Sequence, residues 1–340
     1  MSIEWKCENA RRRDLEQERV NPPTEYIGHK LLPLEAKTQQ SGTVYFVTVT
    51  GGTTAQSGRD QQGGSVNKAY ISGGTATYAA SERIGRYAIP AIEVGNAGGV
   101  EKADVIGGKA AKRSVMAAVE DAQAIALRGG TAGVYAYGSY GDLFAAADTA
   151  LDAIKLYAGR TALVVSTTTF RNIMRLPEVK ERLAFTNVTI FDDLVSTRSR
   201  DAEALRSCLR GVFGVDDIYI GDDRFWNAGA LEGVAIVCKV PSEEEMSYKL
   251  DAELGKTFAY MTDSASPEGE LPIVIESWPN ESLREDTYDG VAYVDVKLLN
   301  PGARAVITGI DTAAAAAKAG IPVQVAGGTV VTLDGGTVGA

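Results

Sequence analysis

Pairs of glycine residues divide this chain into short segments and constrain its fold more than any other feature. The 37 glycines include pairs at 51–52, 63–64, 73–74, 98–99, 107–108, 129–130, 327–328 and 335–336. Glycine pairs are typical of turns and loops with high chain entropy. Such loops fold best when another surface holds them, and a neighbouring subunit is one such surface. With 340 residues the chain also exceeds the size at which one hydrophobic core usually stops growing, so we expect two lobes or more.

The charge balance and the cysteines disfavour several classes of protein. The net charge is −10. A protein that binds nucleic acid normally presents a basic face, and one that binds anionic membranes also needs basic residues, so both classes are disfavoured. Three scattered cysteines, Cys7, Cys208 and Cys238, provide no disulfide framework and fit a reducing cytoplasm. We find no apolar run long enough to span a membrane, and the first residues lack the apolar core of a signal peptide.

Residues 1–35 are predicted to form an N-terminal arm. A short mixed-charge helix near 11–18 is ended by Asn21-Pro22-Pro23, because proline cannot continue a helix. The apolar patch at 26–34 follows, and it shows no clear period. An extended apolar patch of this kind needs a partner surface.

Residues 36–100 are predicted to form an extended β hairpin that leads into the next domain. A strand at 43–50 is rich in β-branched and aromatic residues, whereas 51–68 is polar and glycine-rich. The segment 87–94 indicates an edge strand, because it contains Pro90. A two-stranded hairpin is only marginally stable alone in water, so this hairpin is also expected to pack on something else.

The remaining segments predict two helices, an α/β region and returning strands. The region 101–159 contains helices at 110–127 and 140–157. The α/β region at 160–245 includes predicted strands at 161–167, 188–191, 218–220 and 234–240 and a helix at 201–210 that ends at Gly211. Strands return over 246–310, with a turn at 286–290, and a glycine-rich tail occupies 311–340.

This order resembles the α+β fold of tailed-bacteriophage major capsid proteins, called the Hong Kong 97-type fold. That fold has an N-terminal arm, an extended β loop, a peripheral domain with a long spine helix and an α/β axial domain. The resemblance covers roughly residues 10–310 and rests on joint order and spacing. Local stretches that look like the family are IGHKLLPLEAKTQQSGTVYFV, KADVIGGKAAKRSVMAAVEDA, LVVSTTTFRNIMRLPEVKERL, GVDDIYIGDDRFWN, GVAIVCKVPSEEE and ESWPNESLREDTYDGVAYVDVKLLNPGARAVITGI.

The resemblance implies a structural protein of the virion and no enzyme. Copies of the chain would assemble as hexamers and pentamers into an icosahedral head shell around double-stranded DNA, without sequence-specific DNA binding or a membrane. Assembly would take place in the host cytoplasm, with portal and scaffold proteins and a decoration protein as further partners. Two alternatives stay open at this point: an encapsulin-type nanocompartment shell with the same fold, and a soluble α/β enzyme built on 140–245.

Residues that could carry chemistry are sparse, and we assign no catalytic, cofactor-binding or metal-binding residue. His29 is the single histidine, which excludes a histidine-based metal cluster and disfavours a Ser-His-Asp triad. Tyr137 occupies the position where a nucleophile elbow needs glycine, so Ser139 or Asp142 is better interpreted as a helix N-cap.

The remaining motifs have simpler structural interpretations. The pairs Asp216-Asp217 and Asp222-Asp223 could bind a hard cation, but turn residues are the favoured interpretation. Glu243-Glu244-Glu245 indicates a solvated charged segment. The matches to catalytic and phosphate-loop patterns at 65–68 and 107–109 lack essential residues. Some relatives cross-link subunits through lysine and asparagine, and Lys68 is the only tempting lysine, but no cross-linking residues are assigned.

Overall fold

The computed structural model describes residues 10–48, 72–96, 99–129, 133–140, 142–157, 159–184, 200–227, 233–240, 254–261, 266, 270–280, 283–310, 323–324 and 330–331. Its contacts divide the chain into two compact units, as the chain length predicts. Unit 1 comprises Met1–Thr43, Thr77–Gly129 and Gly255–Leu298, and unit 2 comprises Val44–Ala76, Gly130–Leu254 and Leu299–Ala340. Within the described ranges, no helix is long and apolar enough to cross a membrane.

The helices are α1 (Arg13–Glu16), α2 (Gly28–Leu31), α3 (Ala91–Asn96), α4 (Val100–Arg128), α5 (Tyr137–Tyr140), α6 (Leu143–Ile154), α7 (Thr167–Arg175), α8 (Pro177–Ala184), α9 (Arg200–Phe213) and α10 (Asp223–Trp226). The strands are β1 (Ala10–Arg11), β2 (Leu34–Lys37), β3 (Ser41–Thr48), β4 (Ser72–Ala79), β5 (Ser81–Pro90), β6 (Val134–Ala136), β7 (Arg160–Ser166), β8 (Asp217–Gly221), β9 (Ala235–Val240), β10 (Gly255–Tyr260), β11 (Val274–Asn280), β12 (Glu285–Leu298), β13 (Arg304–Thr308), β14 (Val323–Gln324) and β15 (Val330–Val331). The predicted α+β class is confirmed.

Strand β12 is the centre of the unit 1 sheet. The strand order is β1-β11-β12-β10-β2, and β5 also pairs with β12. Strands β5, β10 and β11 are all antiparallel to β12, whereas β2 is parallel to β10. Over residues 285–291, β12 pairs with β5 and β11 at the same time, and over 294–298 it pairs with β10.

Helix α4 packs on one face of this sheet where two glycines are paired. Gly85 of β5 lies opposite Gly290 of β12. A Cβ on Gly85 would lie 2.7 Å from the amide nitrogen of Val115 and 2.8 Å from the carbonyl oxygen of Ala111. The helix backbone therefore approaches the strand backbones directly, because no side chain separates them. The surrounding core contains Leu15, Ile89, Ala103, Ala111, Val115, Val119, Ile273, Ile275, Tyr288, Ala292 and Val294.

Helix α4 begins at Val100, ten residues before its predicted start. The prediction placed the start too late because two glycines lie inside the helix. Gly107 and Gly108 lie inside the helix, where glycine costs about 0.8–1.0 kcal/mol relative to alanine. A Cβ on Gly107 would lie 2.4 Å from the ring of Tyr288, and one on Gly108 would lie 3.1 Å from the side chain of Leu15. The two glycines thus make room for larger core residues. The predicted helix end at Gly129 is confirmed.

The described part of the predicted N-terminal arm, residues 10–35, packs on unit 1 itself. Strands β1 and β2 belong to the unit 1 sheet. The side chains of Leu15, Ile27, Leu31 and Leu32 are all buried. The apolar patch at 26–34 does need a partner surface, but that surface belongs to the same unit.

A buried lysine anchors this segment to α4. The Nζ of Lys112 donates to the carbonyl oxygens of Glu16 and Glu18, at 2.7 Å each. The buried carboxylate of Glu16 in turn accepts from Nε of Arg11 at 2.9 Å. Burial lowers the pKa of Lys112, and the carboxylates of Glu270, Glu16 and Glu18 partly oppose that effect.

Substituting Lys112 by methionine is expected to lower the free energy of unfolding by about 1–3 kcal/mol, because two carbonyl groups lose their donor. Lys109 provides the control, since its Nζ pairs with Glu18 at 3.0 Å between side chains that are both more than a third exposed. Exposed pairs contribute about 0.2–1 kcal/mol, so Lys109→Met should cost less. Chemical denaturation of both variants measures the difference, and equal losses would contradict the anchoring role of Lys112.

Unit 2 is built on a second mixed sheet, with the order β6-β13-β9-β7-β8. Strand β9 is antiparallel to β7 and β13, whereas β8 and β6 run parallel to β7 and β13 respectively. Its core includes Phe144, Ile154, Leu163, Val165, Phe170, Ile173, Met174, Leu209, Phe213, Val237 and Ile307. The predicted strands at 161–167, 218–220 and 234–240 are confirmed to within a residue or two.

Two of the three helix ends that local sequence signals predict in unit 2 agree with the structure. Ser166 caps α7 by accepting a hydrogen bond from the amide of Thr169 at 3.1 Å, and Pro177 begins α8, as predicted. Helix α9 continues past Gly211 to Phe213, so its predicted end is wrong. The helix stops one residue later at Gly214, whose φ of 66° lies in the left-handed region that favours glycine.

The predicted turn at 286–290 is wrong, because these residues belong to β12 and pair with both β5 and β11. The chain turns before β12, where Arg284 adopts a φ of 51°. The segment 87–94 is also not one strand, since β5 ends at Pro90 and α3 follows. The predicted strand at 188–191 lies outside the described residues. In the tail, β14 and β15 pair in the antiparallel direction.

Candidate functional site

The unit 1 sheet has a second face, opposite α4, that we call the open face. Side chains alternate across a strand, so this face presents every second residue of β5, β11 and β12. It consists of Glu82, Ile84, Arg86, Ala88, Val274, Glu276, Trp278, Thr287, Asp289, Val291 and Tyr293. All except Thr287 and Asp289 are at least partly accessible to solvent.

An apolar row crosses the open face. The strand register aligns Val274, Val291 and Ile84 side by side. Ile84 is 53% exposed, and the two valines are half-buried. Aromatic residues flank this row: Trp278 lies on one side, and Tyr293 packs edge-on against Tyr260 on the other, with ring centroids 6.2 Å apart. Contiguous apolar surface of this kind is typical of a contact site for another protein.

The charged groups of the open face are already paired within the chain. Arg86 donates to both carboxylate oxygens of Asp289, at 2.8 and 2.7 Å, and its guanidinium lies 5.3 Å from the ring centre of Trp278. The hydrogen bond to Asp289 raises the pKa of Arg86. The Tyr293 hydroxyl donates to Glu82 at 3.1 Å, and this bond raises the pKa of Tyr293. Because these charged groups are paired with one another, the open face is better suited to contact another protein than to transfer protons.

The hairpin formed by β3 and β4 is a separate two-stranded sheet. Its root is fixed in unit 1, where the ring of Tyr78 stacks on Phe258 with centroids 5.0 Å apart. The Tyr78 hydroxyl donates to the carbonyl oxygen of Gln39 at 3.2 Å, and the amide of Ala79 donates to Asp295 at 2.8 Å. Farther out, Tyr45 is 85% exposed. The hairpin comprises β3 and β4 only and is shorter than the predicted segment 36–100, because β2 and β5 belong to the unit 1 sheet.

A charged group stands beside this root. The ammonium of Lys37 lies 5.6 Å from the ring centre of Phe258 and hydrogen-bonds to Glu35, which also accepts from Lys256 at 2.9 Å. Burial alone would raise the pKa of Glu35, but the two lysines hold it below its ordinary value. Lysine, glutamate and aromatic rings together hold the start of the hairpin in one arrangement.

The residues weighed in the sequence for catalysis or metal binding do not converge on one site. His29 lies on α2 in unit 1, where burial and, secondarily, Lys30 lower its pKa. Asp142 is the N-cap of α6 and accepts from the amide of Phe144 at 3.1 Å, whereas Ser139 lies within α5. Among the described residues, no group of three histidine, cysteine or acidic side chains could hold a metal ion.

The two aspartate pairs are occupied by bonds within unit 2. Asp216 accepts from the amide of Thr161 at 2.7 Å, and Asp217 pairs with Arg160 at 2.6 Å. Asp222 caps α10, and Asp223 accepts from the amide and hydroxyl of Thr168 at 2.7 and 2.8 Å. These contacts support capping and turn roles. The motifs at 65–68, including Lys68, and at 243–245 lie outside the described residues, and Lys109 lies within α4.

Cys238 is expected to resist thiol reagents in the folded protein. It is fully buried in β9, and burial raises the pKa of its thiol to about 12. Only the thiolate is nucleophilic. In a Cys7→Ser/Cys208→Ser variant, a chromogenic disulfide reagent at pH 8 should react only after denaturant is added. Prompt reaction without denaturant would show that this strand is accessible.

The open face was not predicted from the sequence, although β12 carries a signal for it. Residues 291–294 (Val-Ala-Tyr-Val) are all apolar, so this part of the strand carries apolar side chains on both faces. Within the described ranges, Ala292 and Val294 belong to the core beside α4, whereas Val291 and Tyr293 lie on the open face and are partly exposed.

Comparison with solved structures reveals relatives by fold. A phage-related protein from Bordetella bronchiseptica RB50 has a TM-score of 0.56 and 15% identity, over 88% of this chain and 97% of that chain. The capsid of a native GTA particle has a TM-score of 0.49 and 12% identity, over 86% and 93%. A virus-like particle from Pyrococcus furiosus has a TM-score of 0.46 and 13% identity, over 82% and 90%.

No protein-family model matches the sequence, and no curated protein matches it. At identities this low, likeness to solved structures establishes fold and nothing further. Of the three structures, only the Bordetella protein exceeds a TM-score of 0.5, and the match extends over nearly its whole length. The chain therefore shares its fold with the phage-related protein from Bordetella bronchiseptica.

Proposed function

We propose that this chain is the major capsid protein of a tailed phage, and that its copies assemble into an icosahedral shell around double-stranded DNA. The observation that carries the proposal is the coexistence, among the described residues, of a partly exposed apolar row on the open face and a hairpin whose strands pair only with each other. Each is a surface that needs a partner. A second copy of the chain can supply both.

The proposed contact places the hairpin of one copy on the open face of the next. A two-stranded hairpin gains stability when it packs on another surface, and the row of Ile84, Val274 and Val291 loses its contact with water. Because the hairpin and the open face are different surfaces, the contact is heterologous. Heterologous contacts that close generate rings, which is the symmetry that hexamers and pentamers require.

The domain names of the capsid fold can be assigned on this basis. Residues 1–35 are proposed as the arm, 36–100 as the extended loop with its lead-in, and 101–159 as peripheral helices with α4 as the spine. The axial domain is then 160–245, with returning strands at 246–310 and a tail at 311–340. Because α6 lies in unit 2 by its contacts, we propose that the boundary between the peripheral and axial domains falls near Gly129 rather than at 159.

The partners follow from the same proposal. A chain with net charge −10 contributes little attraction to DNA, so the genome would be confined by the shell without sequence-specific binding. A portal, a scaffold and a decoration protein are proposed as assembly partners in the host cytoplasm, and the virion as the final location. The role is structural, without catalysis.

Substituting Ile84 by aspartate is expected to prevent assembly without unfolding the subunit. A charge in the middle of the apolar row would be buried without a partner when another copy docks, which is costly. The concentration needed for assembly should rise by at least about tenfold. Sedimentation velocity measures assembly, and circular dichroism checks the fold. Ile84→Val is the matched control, and assembly of Ile84→Asp at the control's concentration would contradict the docking role.

A further inference from the structure

A cavity in unit 1 lies between the N-terminal segment and α4. Its volume is about 200 Å³. Val20, Tyr26 and Leu32 form the wall on the side of the N-terminal segment, Val119 belongs to α4, and Leu271 adds an apolar side chain from the segment before β11. The first four are buried. The cavity therefore joins the segment that leads out of α1 to the helix at the centre of unit 1.

The buried polar groups in the wall are engaged by the chain. The carboxylate of Glu120 accepts from the amides of Ile27 and Gly28, at 2.8 and 3.0 Å. The Gln123 side chain donates to the Thr257 hydroxyl at 2.8 Å, which itself donates to the carbonyl oxygen of Leu32 at 3.0 Å. A ligand is not needed to satisfy them, and an incoming charge would lose its hydration without a dedicated counterion.

The exposed part of the wall carries one carboxylate, that of Glu270, and a cation of the chain already lies beside it. Glu270 is half-buried and lies 3.7 Å from the exposed guanidinium of Arg19. His29 is exposed, and its pKa is lowered by burial of part of the ring and by Lys30, so it is mainly neutral at pH 7. Lysine and arginine are absent from the lining, which is formed by described residues. The surface left for a ligand is therefore the apolar one.

We propose that this cavity binds a small uncharged aromatic molecule, which holds the N-terminal segment against α4. Engineered apolar cavities of about 150 Å³ take up benzene, so a volume of this size suits a single substituted ring. The ligand would touch both the 20–34 segment and α4 at once. Its binding would therefore stabilise the docked arrangement of the segment. This site is independent of the proposed shell, because all of it lies within one copy.

The test uses the full chain with three probes of matched ring size: toluene, benzylamine and benzoate. Saturating toluene is expected to raise the melting temperature by about 2–4 °C, because it binds only the folded state. It should also slow tryptic cleavage after Arg19 and Lys30 at least about twofold. Both charged probes should bind at least about tenfold more weakly. Equal binding of all three, or no effect of toluene, would overturn the proposal.

Two cavity-filling variants make the test specific. Leu271→Trp and Met116→Phe each place a larger side chain in the wall, and either one that folds should abolish the toluene effect. Leu156→Trp is the control, since Leu156 is 59% exposed in unit 2 and should leave the effect unchanged. Persistence of the toluene shift in the filled variants would mean that toluene binds elsewhere. Loss of toluene binding in assembled particles alone would show that a neighbouring copy fills the cavity, which also overturns the proposal.

Discussion

Gly85→Ala is expected to destabilise unit 1 by about 3 kcal/mol, at the upper end of the cost of overpacking a core. The added Cβ would lie 2.7 Å from the Val115 nitrogen and 2.8 Å from the Ala111 oxygen. Both atoms belong to the backbone of α4, so no side chain can rotate away. The helix would have to move off the strand pair, and the core between them would loosen. Urea unfolding followed by circular dichroism measures the loss.

Gly211→Ala is the matched control for this substitution. Gly211 lies near the end of α9, and a Cβ added there would meet no atom within 4 Å. Alanine is favoured over glycine in a helix by about 0.8–1.0 kcal/mol, so this variant should be as stable as the original or more stable. We therefore predict that Gly85→Ala lowers the free energy of unfolding, whereas Gly211→Ala leaves it unchanged or raises it. A neutral Gly85→Ala would contradict the close approach of α4 to β5.

Removal of the outer hairpin, the Val44–Ala76 part of unit 2, is expected to abolish particle formation while unit 1 and the rest of unit 2 stay folded. Residues 44–76 can be replaced by Asn-Gly, which favours a tight two-residue turn. The ends are suitably placed, because the Ala80 amide donates to the carbonyl oxygen of Gln40 at 2.8 Å at the hairpin root. Among the residues of this range whose burial is described, only Val44 is buried, and it belongs to neither of the two described core clusters. Sedimentation velocity should therefore show only small species, with an unchanged helix signal in circular dichroism.

This shortened chain separates assembly from folding. The root residues Tyr78 and Phe258 remain, so the unit 1 sheet keeps its edge at that point. If the shortened chain still forms particles that sediment like those of the full chain, the hairpin is not the connecting element. The full chain, purified in the same buffer, is the control for assembly conditions.

The sequence predicted the order of the segments well, because that order depends on local signals. Turn residues, proline and apolar periodicity locate most strands and helices of unit 2 without knowledge of their partners. Ser166 and Pro177 mark helix starts for local reasons, through a side-chain cap and a fixed φ.

The errors arose where a distant contact decides the role of a residue. In the sequence, Gly107 looks like a residue that ends a helix and Gly290 looks like a turn residue. In the structure, each makes room for residues that are far away in the chain. The N-terminal segment looks unsupported because its partner, Lys112, lies about a hundred residues later. The open face was missed for the same reason, since its apolar row combines Ile84 with residues from two later strands.

Electron microscopy of the purified full-length chain tests the shell proposal most directly. The proposal predicts closed, uniform icosahedral particles built from rings of five and six copies, in which the hairpin of one copy covers Ile84 of the next. Particles formed during infection should in addition contain nuclease-protected double-stranded DNA. A compact monomer across all protein concentrations and salt conditions would contradict the proposal.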